Sequence, residues 1–165
     1  MKKHLILFFG AVLLLIGSAE AKGRITISAG VSIYDPPGDV SSTLLFEIAA
    51  RYRLSDKVTA ELSVGWTQYS DVTLMPVQLN GEFHPLGAKV FDPYVGAGTG
   101  VYLTKIAEVT EATIGIQALA GLAFRPAKGF GFSAEVKYML ADITDGNSGG
   151  LTFGGGIEGT WETDL

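Results

Sequence analysis

Apolar and polar residues alternate along eight segments of this chain, each about eleven to fourteen residues long. Successive side chains of a β-strand point to opposite faces, so a period of two indicates strands with one apolar and one polar face. Soluble sheets usually contain strands of roughly five or six residues. A tilted strand needs roughly 9–11 residues to cross a bilayer. The segments cover residues 24–34, 44–54, 58–69, 73–84, 91–104, 112–125, 130–140 and 151–161.

The distribution of charge over the two faces indicates which face meets lipid. The charged residues of these segments share the polar face with many Gly, Ser and Thr residues, which suits a crowded interior; they are Glu47, Arg51, Arg53, Glu61, Glu82, Arg125, Glu135, Lys137 and Glu158. Aromatic residues are expected on the apolar face near the segment ends, where a membrane barrel carries its aromatic girdles; they are Tyr34, Tyr52, Trp66, Phe83, Phe124, Phe130, Tyr138 and Trp161.

Two architectures contain eight up-and-down strands. A soluble lipocalin-like barrel has apolar residues inside, and Gly65-Trp66 weakly matches its Gly-x-Trp motif. A membrane barrel has the opposite arrangement. The charge distribution, the strand length and the N-terminal segment favour the second. We therefore predict an all-β fold, an eight-stranded antiparallel up-and-down transmembrane β-barrel.

The N-terminal segment has the three parts of a secretory signal. Lys2 and Lys3 precede an apolar run over residues 5–16, and residues 19–21 read Ala-Glu-Ala. The run is shorter than the roughly 20 residues of a transmembrane helix. We predict that residues 1–21 are a cleaved signal peptide and that residues 22–165 form an outer-membrane β-barrel domain. An uncleaved anchor helix is the alternative.

Composition excludes several classes of protein. The net charge of −5 at pH 7 argues against nucleic-acid binding. The absence of cysteine excludes disulfides, thiolate metal sites and a cysteine nucleophile. With 47% apolar and 18% charged residues, the chain is too apolar to be disordered.

The joins between segments predict the orientation of the barrel. Outer-membrane barrels have short periplasmic turns, longer outer loops and both termini in the periplasm. The joins after the second, fourth and sixth segments are therefore expected in the periplasm. Outer loops are expected over residues 35–43, 105–111 and 141–150, with a short turn near Ser70. Within the fourth segment, Pro76 should force a bulge or a local break in the ladder.

Two stretches carry a resemblance to a known family. Residues 74–85 read LMPVQLNGEFHP, and residues 92–102 read DPYVGAGTGVY. Together they resemble the small outer-membrane barrels of the OmpA/OmpW type, in which a proline opens one alternating strand and a Pro-Tyr-Val-Gly-Ala-Gly run begins the next. The resemblance implies a membrane barrel of the cell outer membrane and no catalytic residues. The chain departs from the family pattern by ending in Leu165 rather than in an aromatic residue.

The polar-face charges form the candidate site. An eight-stranded barrel is only wide enough for side chains to fill it. An unpaired charge there would cost several kcal/mol, so acids and bases must pair. The expected result is a salt-bridged plug, and the alternative is a narrow gated ion path.

We expect no catalytic, cofactor or metal site. His84 is the one histidine of the predicted mature chain, and the residues two positions away, Glu82 and Leu86, are not the serine that a lipid A deacylase barrel requires. The acids of residues 142–147 do not have the spacing of a calcium loop. Gly96, Gly98 and Gly100 are not followed by a helix as in a phosphate loop, and are expected to make room inside the barrel.

The predicted function is a non-enzymatic outer-membrane protein with a structural, adhesive or envelope-maintenance role. A narrow channel for small or hydrophobic solutes is the alternative, and a lipid A-modifying enzyme is less favoured. The expected partners are outer-membrane lipids, lipopolysaccharide and the barrel-assembly machinery, with no nucleic acid and a monomeric state. Acids dominate the expected outer side; they are Asp35, Asp39, Asp71, Glu108, Glu111, Asp142 and Asp145, against Lys105. Either these acids only keep the loops solvated, or divalent cations bridge them to lipopolysaccharide. Lysines dominate the expected periplasmic turns; they are Lys57, Lys89 and Lys128.

Overall fold

Eight antiparallel strands form a closed barrel in which each strand pairs with its neighbours in sequence and β1 pairs with β8. The computed structural model describes residues 23–87 and 89–163. The strands are β1 (Gly23–Asp35), β2 (Thr43–Ser55), β3 (Val58–Tyr69), β4 (Val72–Phe83), β5 (Phe91–Ile106), β6 (Val109–Ala127), β7 (Phe130–Leu140) and β8 (Gly149–Thr163). No helix among the described residues is long and apolar enough to cross a membrane. The predicted signal peptide, residues 1–21, lies outside the described residues.

Burial alternates along the strands in the sense expected of a membrane barrel. In β3, Glu61 and Ser63 are buried, while Leu62 and Val64 are exposed on the outer surface. In β2, Ile48 is 64% exposed although it is one of the most apolar residues of the strand. A belt of exposed apolar side chains is stable only against lipid, because contact between apolar surface and water is unfavourable. The predicted fold class is confirmed.

The start of β1 and the end of β8 lie at the same end of the barrel. Gly23 of β1 pairs with Thr163 of β8, and the joins after β2, β4 and β6 lie at this end, which we call the near end. The joins after β1, β3, β5 and β7 lie at the opposite, far end. The near joins cover residues 56–57, 84–90 and 128–129, and the far joins cover residues 36–42, 70–71, 107–108 and 141–148.

The prediction of a long outer loop over residues 105–111 is wrong. β5 and β6 continue as a regular ladder to the pair Ile106–Val109 and are joined by Ala107 and Glu108 alone. Ala107 adopts a left-handed conformation with φ 53°, which lets two residues close the hairpin. Two far joins therefore contain two residues each, and the 84–90 join at the near end contains seven. The difference in join length between the two ends of the barrel is therefore smaller than expected.

Pro76 interrupts the ladder between β3 and β4 without shifting its register. The pairing runs from Val64–Val77 to Thr67–Leu74 in one register, while Gly65 and Trp66 have no recorded partner in β4. Proline has no N–H to donate, which accounts for the gap. Of the two predicted outcomes, the structure contains the local break and not the bulge.

The placement of Tyr34 in the outer aromatic girdle is wrong. Tyr34 is 2% exposed and packs against Tyr69 in the interior. It lies one position beyond the outward-facing Ile33, and the period of two directs it to the inner face. Trp66, Phe83, Phe124, Phe130, Tyr138 and Trp161 are at least 44% exposed on the outer surface.

Glycines create space for large interior side chains. A Cβ at Gly121 would collide with the ring of Tyr94, and one at Gly115 would collide with the ring of Tyr102. Each tyrosine therefore lies across the backbone of the neighbouring strand, as aromatic residues do over glycine in sheets. Hypothetical Cβ atoms at Gly98 and Gly100 would meet Asn80 and Gln78 in the interior, so these glycines do make room inside the barrel.

Candidate functional site: the barrel lumen

The far end of the lumen is filled by an apolar layer. Tyr34, Leu45, Leu74, Tyr102 and Met139 pack together, and each is at most 2% exposed. They come from five strands, so the layer crosses the full width of the barrel. Such a layer excludes water and ions from the far end.

Arg51 is the centre of the charged network below this layer. Its Nη2 lies 2.5 Å from Glu61 Oε2 and 3.7 Å from Glu135 Oε2. Its Nε donates a hydrogen bond to Glu82 Oε1 at 3.0 Å, and its Nη1 lies 3.9 Å from Glu158 Oε2. Four strands contribute these carboxylates. One guanidinium, with donors in a planar fork, therefore ties four sides of the barrel together.

Lys137 connects the network to the apolar layer. Its Nζ donates hydrogen bonds to both carboxylate oxygens of Glu47, at 3.0 and 2.9 Å, and lies 3.3 Å from Glu135. It also donates to Gln78 Oε1 at 3.2 Å. Gln78 Nε2 in turn donates to the hydroxyl of Tyr102, at 2.9 Å. The Lys137 side chain is 98% buried, and three residues supply acceptors to its ammonium, as a buried charge requires.

A second cluster closes the near end around Asp92. Its Oδ2 accepts hydrogen bonds from Arg53 Nη2 at 3.2 Å and from Arg125 Nη1 at 2.7 Å. Its Oδ1 contacts His84 Nδ1 at 3.0 Å, while His84 Nε2 contacts Glu82 Oε2 at 3.2 Å. Arg125 Nε lies 2.6 Å from Glu158 Oε1, which joins this cluster to Arg51.

His84 lies just beyond β4, and its two carboxylate neighbours favour the imidazolium. Burial works against the charged ring, but the hydrogen bonds with Asp92 and Glu82 outweigh burial and raise its pKa above the ordinary 6.5. The ring also stacks on Tyr94, with centroids 5.4 Å apart. The two carboxylates thus stabilise the protonated form of the His84 ring.

All nine charged residues expected in the lumen lie there, and each contacts an opposite charge. The contacts join Glu47 to Lys137, Arg53 to Asp92, Arg125 to Glu158, and Arg51 to Glu61, Glu82 and Glu135.

Sequence reasoning missed Asp92, and it considered His84 only as a catalytic candidate. Asp92 is completely buried and organises the near cluster. It lies two residues before Tyr94, which faces the interior, so the period of two places it on the inner face. The same alternation can be read from the sequence, but Gly and Ala occur on both faces of residues 91–104 and weaken the pattern there.

Carboxylate oxygens of Glu61, Glu82 and Glu135 lie within 4.8 Å of one another, close enough for one cation to contact all three. The guanidinium of Arg51 contacts the same three carboxylates and supplies positive charge at that point. A cavity of about 40 Å³ lies beside Arg51, Glu47 and Glu135, against the glycines of β1 and β8. It has the size for one or two water molecules.

The fold and its filled, ion-paired lumen define a small membrane barrel, and comparison with known sequences agrees. Residues 6–158 match the outer membrane protein beta-barrel domain family. The chain belongs to this family, which places it in the cell outer membrane. No curated protein matches the chain at a significant level.

Solved structures share the fold at low sequence identity. The N-terminal β-barrel domain of Pseudomonas aeruginosa OprF is 20% identical with a TM-score of 0.69, over 84% of this chain and 97% of that one. Neisserial surface protein A is 14% identical with a TM-score of 0.68, over the same shares. The outer membrane enzyme PagL is 14% identical with a TM-score of 0.52, over 81% and 97%. Because the structures with this fold include an enzyme, the fold alone does not define the function of this chain, which must be argued from its site.

Proposed function

We propose that the protein is a closed, non-enzymatic outer-membrane barrel with a structural or adhesive role. The observation that carries the proposal is the filled lumen, in which an apolar layer lies at the far end and paired charges occupy the rest. A barrel filled in this way is a rigid membrane-embedded support. The far rim is the part of this barrel that faces the exterior.

The contacts of His84 support a non-enzymatic role. General-base catalysis on a hydroxyl requires a ring nitrogen within hydrogen-bond reach of the nucleophile. Both ring nitrogens of His84 are engaged by carboxylates, Asp92 and Glu82. Among the described residues, no serine or threonine hydroxyl shares a hydrogen bond with this ring.

A narrow channel is the second candidate function, and the cavity beside Arg51 and Glu135 favours it. The two candidates predict different conductance in planar bilayers. A closed barrel gives no steady single-channel openings from the wild-type protein, whereas a channel opens repeatedly at constant voltage. Leu74→Ala, which thins the apolar layer, should leave a closed barrel silent because the charged network remains. Steady wild-type openings would refute the closed-barrel proposal.

The proposed partners follow from the two ends of the barrel. We place the near end in the periplasm because it carries the ends of β1 and β8. The acidic far rim then faces lipopolysaccharide, with divalent cations between the two. The barrel-assembly machinery would insert the protein, which we propose to be a monomer without nucleic-acid partners.

A further inference from the structure

One strand of the far rim has a free edge. β6 begins at Val109, whereas its partner β7 ends at Leu140, opposite Ile116. The segment 109–113 of β6 therefore pairs with β5 on one side and has no strand partner on the other. We call the unpaired side of residues 109–113 the β6 edge.

The backbone groups of the β6 edge can be assigned from one hydrogen bond. The carbonyl of Ile114 accepts a hydrogen bond from the N–H of Ile143, at 3.0 Å, on the side where β7 would continue. In an antiparallel strand, alternate residues direct both backbone groups to the same neighbour. Ala112 and Thr110 therefore direct their N–H and C=O groups to the free side. Over residues 23–87 and 89–163, no loop or side chain forms a hydrogen bond with these groups.

The β6 edge lies outside the membrane. Phe124 belongs to the outer aromatic surface at the near end of β6. A tilted strand needs roughly 9–11 residues to cross the bilayer. Counted along β6 from Phe124, this span ends between Ile116 and Ile114, so residues 109–113 lie beyond it. Residues 109–112 are all exposed, and Val109 is 71% exposed.

The charges around the β6 edge are mainly acidic. Glu111 lies on the edge itself, and Glu108 lies in the adjoining turn. Asp142 and Asp145 lie in the 141–148 join, which contacts β6 at Ile114. Among the described residues of the far rim, Lys105 is the one base near this edge, and it is exposed beside Thr110. A partner at this edge must present backbone groups in an extended strand and positive charge opposite Glu111.

We propose that the β6 edge binds an extended basic peptide segment by strand addition. The segment pairs with Thr110 and Ala112, which gives affinity through main-chain hydrogen bonds. Its basic side chains, at every second position, lie on the same face as Glu111, which gives selectivity. Anionic lipopolysaccharide is disfavoured by the same acids where no divalent cation bridges the two. This binding deepens the adhesive role proposed above and rests on it.

The test measures binding of a fluorescent nonapeptide of alternating Lys and Val to the purified barrel in lipopolysaccharide-free nanodiscs. Ala112→Pro removes the edge N–H without removing a bond to β5, and proline is tolerated at a strand edge. It should weaken binding about fivefold, since the loss of one hydrogen bond of about 1 kcal/mol corresponds to that ratio. Glu111→Gln should also weaken binding and reduce its dependence on salt. Asp39→Asn, in the 36–42 join of the far rim, is the matched control and should leave binding unchanged.

Three results would each overturn the inference. The first is equal binding by the wild-type protein, Ala112→Pro and Glu111→Gln. The second is that a peptide N-methylated at alternate residues binds as tightly as the unmodified peptide. The third is dimerisation of the wild-type barrel in detergent that Ala112→Pro abolishes, since the edge would then bind a second copy. Heat-modifiable migration on SDS gels confirms that each variant is folded. Conductance is recorded on the same samples, so that failure of the closed-barrel proposal is distinguished from failure of peptide binding.

Discussion

Arg51 and Glu61 form the shortest ion pair of the lumen described above, with Nη2 and Oε2 2.5 Å apart and the Glu61 side chain wholly buried. Arg51→Ala should destabilise the barrel by about 3–5 kcal/mol, because it leaves several buried carboxylates without their cation. Urea unfolding in detergent or lipid vesicles measures the change. Adding Glu61→Gln to Arg51→Ala should recover part of the loss, because it removes one of the uncompensated charges.

The control for Arg51 is Arg24→Ala. Arg24 contacts Glu162 at 3.5 Å, and both side chains are partly open to solvent. Exposed pairs contribute at most about 1 kcal/mol. Equal losses from the two substitutions would contradict a central role for Arg51.

Ala134 and Ser133 test which face meets lipid. Ala134 is exposed on the outer surface in the middle of β7, while Ser133 lines the small lumen cavity. Ala134→Arg should cost about 2–4 kcal/mol in folding into bilayers. Ser133→Arg should act through crowding near Arg51, and its cost should not depend on bilayer thickness. If Arg at 134 is tolerated freely, the assignment of the faces is inverted.

Gly121 and Tyr94 should be coupled in stability. A Cβ at residue 121 would collide with the Tyr94 ring, so Gly121→Ala should cost about 1–3 kcal/mol. Gly81→Ala is the matched control, since its Cβ would meet nothing nearer than the Ala97 carbonyl at 4.0 Å. In a double-mutant cycle, Gly121→Ala should cost less when Tyr94 is already Leu. Strict additivity would show that the ring and the glycine are independent.

His84 should make stability depend on pH. Its pKa in the folded protein is raised above the ordinary 6.5 by Asp92 and Glu82, against the opposing effect of burial. A raised folded pKa gives a contribution that is fully present below 6.5 and is lost as pH rises through the folded pKa. The free energy of unfolding should therefore fall over this interval, and His84→Gln should flatten the profile. An unchanged profile in His84→Gln would assign the dependence to another group.

The far rim should respond to chelators in lipopolysaccharide-containing bilayers. We expect Mg²⁺ or Ca²⁺ to strengthen association, because like charges repel until they are screened or bridged. Asp142 Oδ1 already accepts hydrogen bonds from the N–H and the hydroxyl of Thr144, and these bonds lower its pKa. Asp142→Asn with Asp145→Asn should weaken the chelator effect measured by unfolding. No change would mean that these residues only form the turn.

The sequence predicted the barrel well because lipid and a packed lumen impose a strict period of two. β3 and β7 begin and end at the predicted residues, and the structure places Glu61 and Lys137 inside as expected. The failures have local causes. Residues 105–111, with their three charged side chains, read as a loop, but cross-strand pairing continues them as a hairpin. The partners of Asp92 could not be derived, because Arg53 approaches it across the lumen from β2 and Arg125 reaches it from the neighbouring strand β6, and neither is close to Asp92 in sequence.

The pairing of β1 with β8 has a consequence for biogenesis. Gly23 pairs with Thr163, so the last contacts to be completed join the two ends of the described chain. Until they form, β1 and β8 each present a row of free N–H and C=O groups, which the bilayer interior cannot satisfy. Hairpins such as β5–β6 can form from local sequence, but closure must wait for the final strand. Insertion and closure are therefore expected to be one coupled event, with the unclosed sheet held out of lipid until β8 is available.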